Sequence, residues 1–280
     1  LVTQDDKRTK RNLVVFTVLV LGIAVLARVI EPLTVPPTAQ PGTPGLGQLL
    51  WIIAPLGVAL LLRIFGGGWA DLGLRPNFKD NGFWWLVSVL VFPVVITISV
   101  LLGVLLGGLA LNVNMFSAFV AALLTGLISA VIKNVFEEFA WRGYLAPKLY
   151  GFGANVWLSH AIVGVIWGAW HLPFVFVFWP YLTPDMLWYF VPLLLVGTFS
   201  QSVVYGEIRL ATASVLPAWV MHTIGNAIGN ALLLSNFIQL GPGRELWFSP
   251  GAESASSIVL MFAVGYWLHR RRKGIERLWR

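Results

Sequence analysis

A chain of 280 residues in which 58% are hydrophobic and only 11% charged is not a soluble globular domain, since ordinary domains carry about 25% charged residues. The formal net charge of +7 does not point to nucleic acid, because the basic residues gather at the two ends and in alternate connections, as topology determinants do. The absence of cysteine excludes disulfides, thiolate metal ligands and a cysteine nucleophile.

Apolar runs of about 20 residues recur without strand-like alternation, which predicts an all-α polytopic membrane protein and excludes an outer-membrane barrel. Eight spans are expected, at 13–30, 48–65, 83–110, 118–147, 155–179, 187–208, 212–235 and 253–270. Lys7, Arg8, Lys10 and Arg11 precede the first, and Ala24 and Ala27 offer a weak signal-peptidase pattern. An uncleaved first span is the better reading, because it completes a consistent topology. The connection from Glu31 to Gly47 is rich in Pro and Gly and reads as an extracytoplasmic loop. The connection from Gly66 to Gly82 opens on three glycines and offers a candidate interfacial helix from Trp69 to Leu74. With no repeat and no long linker, residues 1–280 read as one membrane domain around an intramembrane polar cavity.

Orientation follows the Lys and Arg bias. A cytoplasmic N-terminus puts Arg63, Arg75, Lys79, Arg142, Lys148, Arg209 and the cluster Arg270-Arg271-Arg272-Lys273 on the same side, with Arg28 and Arg244 near the other. An even number of spans returns the C-terminus to the cytoplasm, and the expected location is the cytoplasmic membrane of a prokaryote.

The fourth span carries Glu137-Glu138-Phe139-Ala140-Trp141-Arg142. Each such charge costs a few kcal/mol at membrane depth and needs a partner or a task. Successive helical residues point about 100° apart, so the two glutamates cannot share a face. Glu138 and Arg142, four apart, read as a structural ion pair. Glu137 shares its stripe with Lys133, Trp141 and Tyr144, and its carboxylate is free for chemistry unless Lys133 claims it. The blander alternative is one structural network of all four charges.

The fifth span carries the stripe Trp167-x-x-x-His171, followed by Leu172-Pro173, where the proline loosens the backbone. Such irregularity at membrane depth belongs inside protein or beside water. The seventh span sets His222 and Asn226 one turn apart, with Pro217 expected to bend it. A lone intramembrane histidine is as often an interhelical hydrogen bond as a catalyst. Two histidines and a carboxylate at similar depths favour a reaction centre, reached through an opening on the cytoplasmic side. His160 reads as a packing or interfacial residue, Glu207 and Arg209 as a solvated turn, His269 as part of the basic tail and Asp185 as a helix cap.

Taken together and in this order, Glu137-Glu138-x-x-x-Arg142, Trp167-x-x-x-His171 and His222-x-x-x-Asn226 resemble the CAAX-protease and bacteriocin-processing family, the type II CAAX prenyl endopeptidase group of intramembrane proteases. The resemblance covers residues 118–235, the expected catalytic core. It implies that Glu137 and His171 activate a water, that His222 and Asn226 stabilise the oxyanion, and that Glu138 and Arg142 support the site. Trp167 stands where phenylalanine is usual, and Lys133-Asn134 where apolar or small residues are usual.

The expected activity is therefore endopeptidase cleavage of a membrane-associated or lipidated, CAAX-like protein, with no nucleic-acid partner. Glu137, His171 and His222 also make a His₂Glu set of the kind that holds zinc with an open position. No His-Glu-x-x-His motif is present, and the resemblance favours a glutamate-dependent mechanism. No cofactor is expected, and a metal-dependent peptidase is the second choice. Outside catalysis, the alternatives are an immunity or adaptor protein of the same fold, or a small-solute transporter, for which the chain lacks a visible inverted repeat.

Overall fold

The computed structural model describes residues 4–36, 38 and 43–278, and 79% of the chain is helical. In chain order the elements are α1 (Gln4–Thr34), α2 (Leu46–Leu62), α3 (Gly82–Leu105), β1 (Leu109–Leu111), α4 (Phe116–Ala140), α5 (Ala146–Gly151) and α6 (Val156–His171). They continue as α7 (Val175–Phe178), α8 (Leu187–Thr212), α9 (Leu216–Leu234), β2 (Ile238–Leu240), α10 (Glu245–Phe248) and α11 (Ala255–Leu278).

This is an all-α polytopic membrane protein. Among the described residues, six helices are long and apolar enough to cross a membrane, not the eight expected. α9 and α11 occupy the other two expected positions but fall outside that set. α9 carries His222, Asn226 and Asn230, and α11 runs into the basic residues 270–273.

The first two helices form a tight hairpin. Gly47 lies against the backbone of Ala27 and Glu31, an approach that leaves no room for a Cβ. Glu31, inside α1 and not in a loop, accepts from the backbone N–H groups of Gly45 at 2.8 Å and Gln48 at 2.6 Å. Its carboxylate thus serves the otherwise unpaired donors at the start of α2.

α4 and α9 run antiparallel, with Glu138 level with His222 and Asn134 level with Asn226. Gly126 lets α4 approach the backbone of Ala227. Where α3 and α9 end, β1 and β2 pair antiparallel in the register Leu109 with Leu240 and Leu111 with Ile238, a ribbon that the apolar pattern did not signal.

Three local expectations are corrected. Pro217 occupies the first turn of α9 and starts that helix without bending it, as its fixed φ and missing N–H favour. The segment Trp69–Leu74 forms a turn, not a helix. Gly73 adopts a φ of +78° there, against the carbonyl of Ala213, a conformation open to glycine at little cost. α8 continues through Thr212, beyond the expected end at residue 208.

Candidate functional site

The site is assembled around a widened turn at the end of α4. Residues Trp141–Leu145 form a π-helical turn, in which the N–H of Ala146 reaches back to the carbonyl of Trp141. Pro147 has no N–H to continue the ladder. Carbonyls left over in this turn are served by two buried arginines from other helices. Arg209 Nε donates to Arg142 O at 3.0 Å, and Arg63 Nη2 donates to Gly143 O. Such turns are frequent at functional sites. This one immediately follows both glutamates.

Glu138 is fully buried, and its Oε1 accepts from Arg142 Nη1 at 2.9 Å and from His222 Nδ1 at 2.8 Å. The Arg142 guanidinium lies against the rings of both Trp167 and Tyr205, 4.5 and 4.1 Å from their centroids. The expected ion pair is therefore present, but Glu138 is shared with His222.

Glu137 is 1% exposed. Its Oε2 accepts from the indole Nε1 of Trp167 at 3.0 Å. Its Oε1 lies 3.4 Å from the Lys133 ammonium and has no hydrogen-bond partner in the protein. Lys133 thus does lie against the carboxylate, as its place on the stripe suggested.

Trp167 links the two groups expected to activate water. Its indole holds Glu137, and its carbonyl accepts from His171 Nδ1 at 2.8 Å. With Nδ1 donating, the neutral His171 ring keeps a bare Nε2 that can accept a proton. The same logic applies to His222: its Nδ1–H is committed to a carboxylate, so Nε2 donates only when the ring is protonated. Trp167 reaches Glu137 from one turn before His171 and so connects the two residues. Phenylalanine, usual at this position in the resembled family, has no such donor.

Asn226 Nδ2 donates to Asn134 Oδ1 at 3.1 Å. Asn134 is buried, and its own Nδ2 has no partner in the protein. It is a second amide donor beside Asn226. The sequence showed it only as a polar residue in an apolar context. Trp51 of α2 was missed outright. It stacks on Trp170 at 3.8 Å and donates to the Trp170 carbonyl at 2.9 Å, and both rings pack on His171.

Among the described residues, no three His, Asp or Glu side chains come together in a group able to hold a metal ion. His171 and His222 each commit Nδ1 to an oxygen and keep Nε2 free. The arrangement gives one histidine a carbonyl partner and sends the other to the neighbouring glutamate.

A second polar cluster corrects three readings. Glu207, expected in a solvated turn, is buried in α8. It accepts from His160 Nε2 at 3.0 Å, His269 Nδ1 at 2.8 Å and Arg272 Nε at 2.6 Å. His269 is therefore a packing contact of α11 and not merely part of a basic tail. Arg209, also expected in solvent, is buried against the carbonyls of Arg142 and Asp71. Asp185 lies in a short helical turn before α8. In the connection after α2, Asp71 pairs with Arg63 at 2.8 Å and Lys148 at 2.9 Å. Burial works to raise the Asp71 carboxyl, but the two cations bring it below its ordinary value of 3.8.

The fold and this cluster define a multi-pass helical membrane protein with carboxylates, histidines and amides gathered in its interior. Residues 117–228, from α4 into α9, match the model of a particular family, described as type II CAAX prenyl endopeptidase Rce1-like. The stretch contains all three motifs, and the family is the one they resemble. At family level the match supports a CAAX-type intramembrane protease with a membrane-associated protein substrate. A comparison with curated proteins found no match.

Proposed function

We propose that the protein is a glutamate-dependent intramembrane endopeptidase acting on a membrane-associated or lipidated, CAAX-like protein, with both termini cytoplasmic and residues 118–235 as its catalytic core. The reading is carried by one observation. Glu137 is held by Trp167 through one oxygen, has its other oxygen free of hydrogen bonds, and is tied through the same tryptophan to a histidine with a bare Nε2.

In this reading a water beside Glu137 and His171 gives up a proton to Glu137 as its oxygen bonds to the scissile carbonyl carbon. The carbonyl π-electrons move to oxygen, and His222, in its protonated form, and Asn226 donate to the oxyanion. Donors fixed where charge develops stabilise such a state by about 3–4 kcal/mol. Collapse reforms the carbonyl and breaks the C–N bond, while the proton held by Glu137 passes to the leaving nitrogen. His171 steadies that proton, and Glu138 with Arg142 keeps His222 in place. No step requires a metal.

The test uses purified protein in nanodiscs with lipidated peptides, products being identified by mass spectrometry. Glu137→Gln, His171→Ala and His222→Ala should each lower cleavage by about 100-fold or more, with folding checked by thermal melting. Undiminished cleavage by Glu137→Gln refutes the mechanism. If that variant instead keeps full biological function in cells while the wild type cleaves nothing, an adaptor of the same fold is the better reading.

A further inference from the structure

Lys133 is unlike the other charges of the site. Glu137, Glu138 and Arg142 are at most 1% exposed, whereas the Lys133 side chain is 32% exposed. Its ammonium is close to the faces of Trp51 and Phe178, 5.6 and 5.8 Å from their centroids. His171 packs against both of those rings. Lys133 therefore stands at the rim of an aromatic wall beside the proposed catalytic groups, reachable from outside. It sits 3.4 Å from the one Glu137 oxygen that no hydrogen bond claims.

That oxygen is the one available to take a proton from water, and the ammonium occupies its approach. Glu137 itself faces Lys133 along its own helix, Trp167 and His171 from α6, and His222 from α9. Of these groups only Lys133 bears a fixed positive charge on a long, flexible stem. A partly exposed ammonium on a flexible stem exchanges one carboxylate partner for another more readily than the Arg142 guanidinium, which is 1% exposed. An anion arriving at the rim competes with Glu137 for it.

We propose that Lys133 is a specificity determinant that receives a carboxylate of the substrate, drawing the ammonium off Glu137 as the peptide binds. The inference rests on the peptidase reading above and names the substrate class: peptides with a carboxylate close to the bond that is cut. The carboxylate has two sources, a free chain terminus or an acidic side chain, and both meet the same ammonium. Until such a group arrives, Lys133 and Glu137 neutralise each other.

The test compares fluorescent lipidated octapeptides binding to the full-length protein in nanodiscs, read by anisotropy. One pair differs only in a C-terminal carboxylate or carboxamide, the other only in Asp or Asn three residues from the end. In the wild type, one pair should favour the acid by about fivefold, the scale of a partly exposed ion pair, and that pair identifies the source. The preference should fall to none in Lys133→Met, persist in Lys133→Arg and shrink as salt is raised. Equal binding within both pairs in the wild type overturns the proposal. So does a preference that survives in a folded Lys133→Met. Glu137-dependent cleavage that ignores both pairs would leave the peptidase standing and remove this role of Lys133. Discrimination by a protein that cleaves nothing would sustain the carboxylate site and refute the peptidase.

Discussion

Arg142→Met should be among the most destabilising substitutions in the molecule. It removes one partner of a pair in which both side chains are at most 1% exposed, joined at 2.9 Å. Losing one partner of a buried ion pair costs about 3–5 kcal/mol, because the other charge is left uncompensated. The guanidinium also lies 4.5 and 4.1 Å from the Trp167 and Tyr205 rings, and each desolvated cation–π contact contributes about 1–2 kcal/mol. Against this, His222 still donates to Glu138, and methionine refills part of the space. The lower end of the range, about 3 kcal/mol, is therefore expected. For a chain of this size about 2–4 °C of melting temperature is lost per kcal/mol, or about 10 °C in all.

The assay is thermal unfolding in nanodiscs followed by intrinsic fluorescence, which the 14 tryptophans make sensitive. Adding Glu138→Gln to Arg142→Met should recover a good part of the loss, since the stranded charge disappears while His222 keeps an acceptor. A single variant melting within about 2 °C of wild type, or a double variant as unstable as the summed singles, would refute the argument that breaking this buried pair strands a charge.

Asn134→Leu should lower kcat by about 100-fold with KM little changed, because it strands Asn226 and deletes the second amide donor. Steady-state kinetics on any cleaved peptide checks this, and a wild-type kcat would remove the amide pair from the mechanism. Asp71→Asn should be less stable than wild type near neutral pH. The folded Asp71 carboxyl titrates below its ordinary value of 3.8, so its contribution is full above that pH and is lost as the pH falls through the folded value. The difference in melting temperature between the two proteins should close on acidification, and a gap constant from pH 6 to pH 3 would contradict the Arg63–Asp71–Lys148 cluster as its source.

What the sequence made legible was whatever repeats at short range. Apolar runs marked the helices, and a spacing of four marked Glu138 with Arg142, Trp167 with His171 and His222 with Asn226. What it hid depends on partners from distant segments. Glu207 meets residues 47, 62 and 65 positions away, so its charge beside Arg209 looked like a turn in solvent. The widened turn after Glu138 is accompanied by a proline at 147 and by arginines from other helices on its carbonyls, and no local pattern encodes that conjunction. Trp167 was visible as an aromatic, but its indole proton matters only once α6 is known to face α4.

The charges of the site also constrain how it works. Glu137, Glu138, Lys133 and Arg142 sum to zero, so with His222 neutral the cluster adds no net charge to the protein interior, and the protonated His222 of the proposed mechanism adds one positive charge. The two pairs reach neutrality differently. Glu138 is neutralised by a buried cation that lies against two aromatic rings, and it also accepts from a histidine of the facing helix. Glu137 is neutralised by the one cation that reaches the outside, and is otherwise held by an uncharged indole. In the proposed mechanism Glu137 changes its charge during turnover, and of the two glutamates it is the one whose counter-ion is partly exposed. The two adjacent glutamates are thus distinguished less by their own burial, which they share, than by the exposure of what neutralises them.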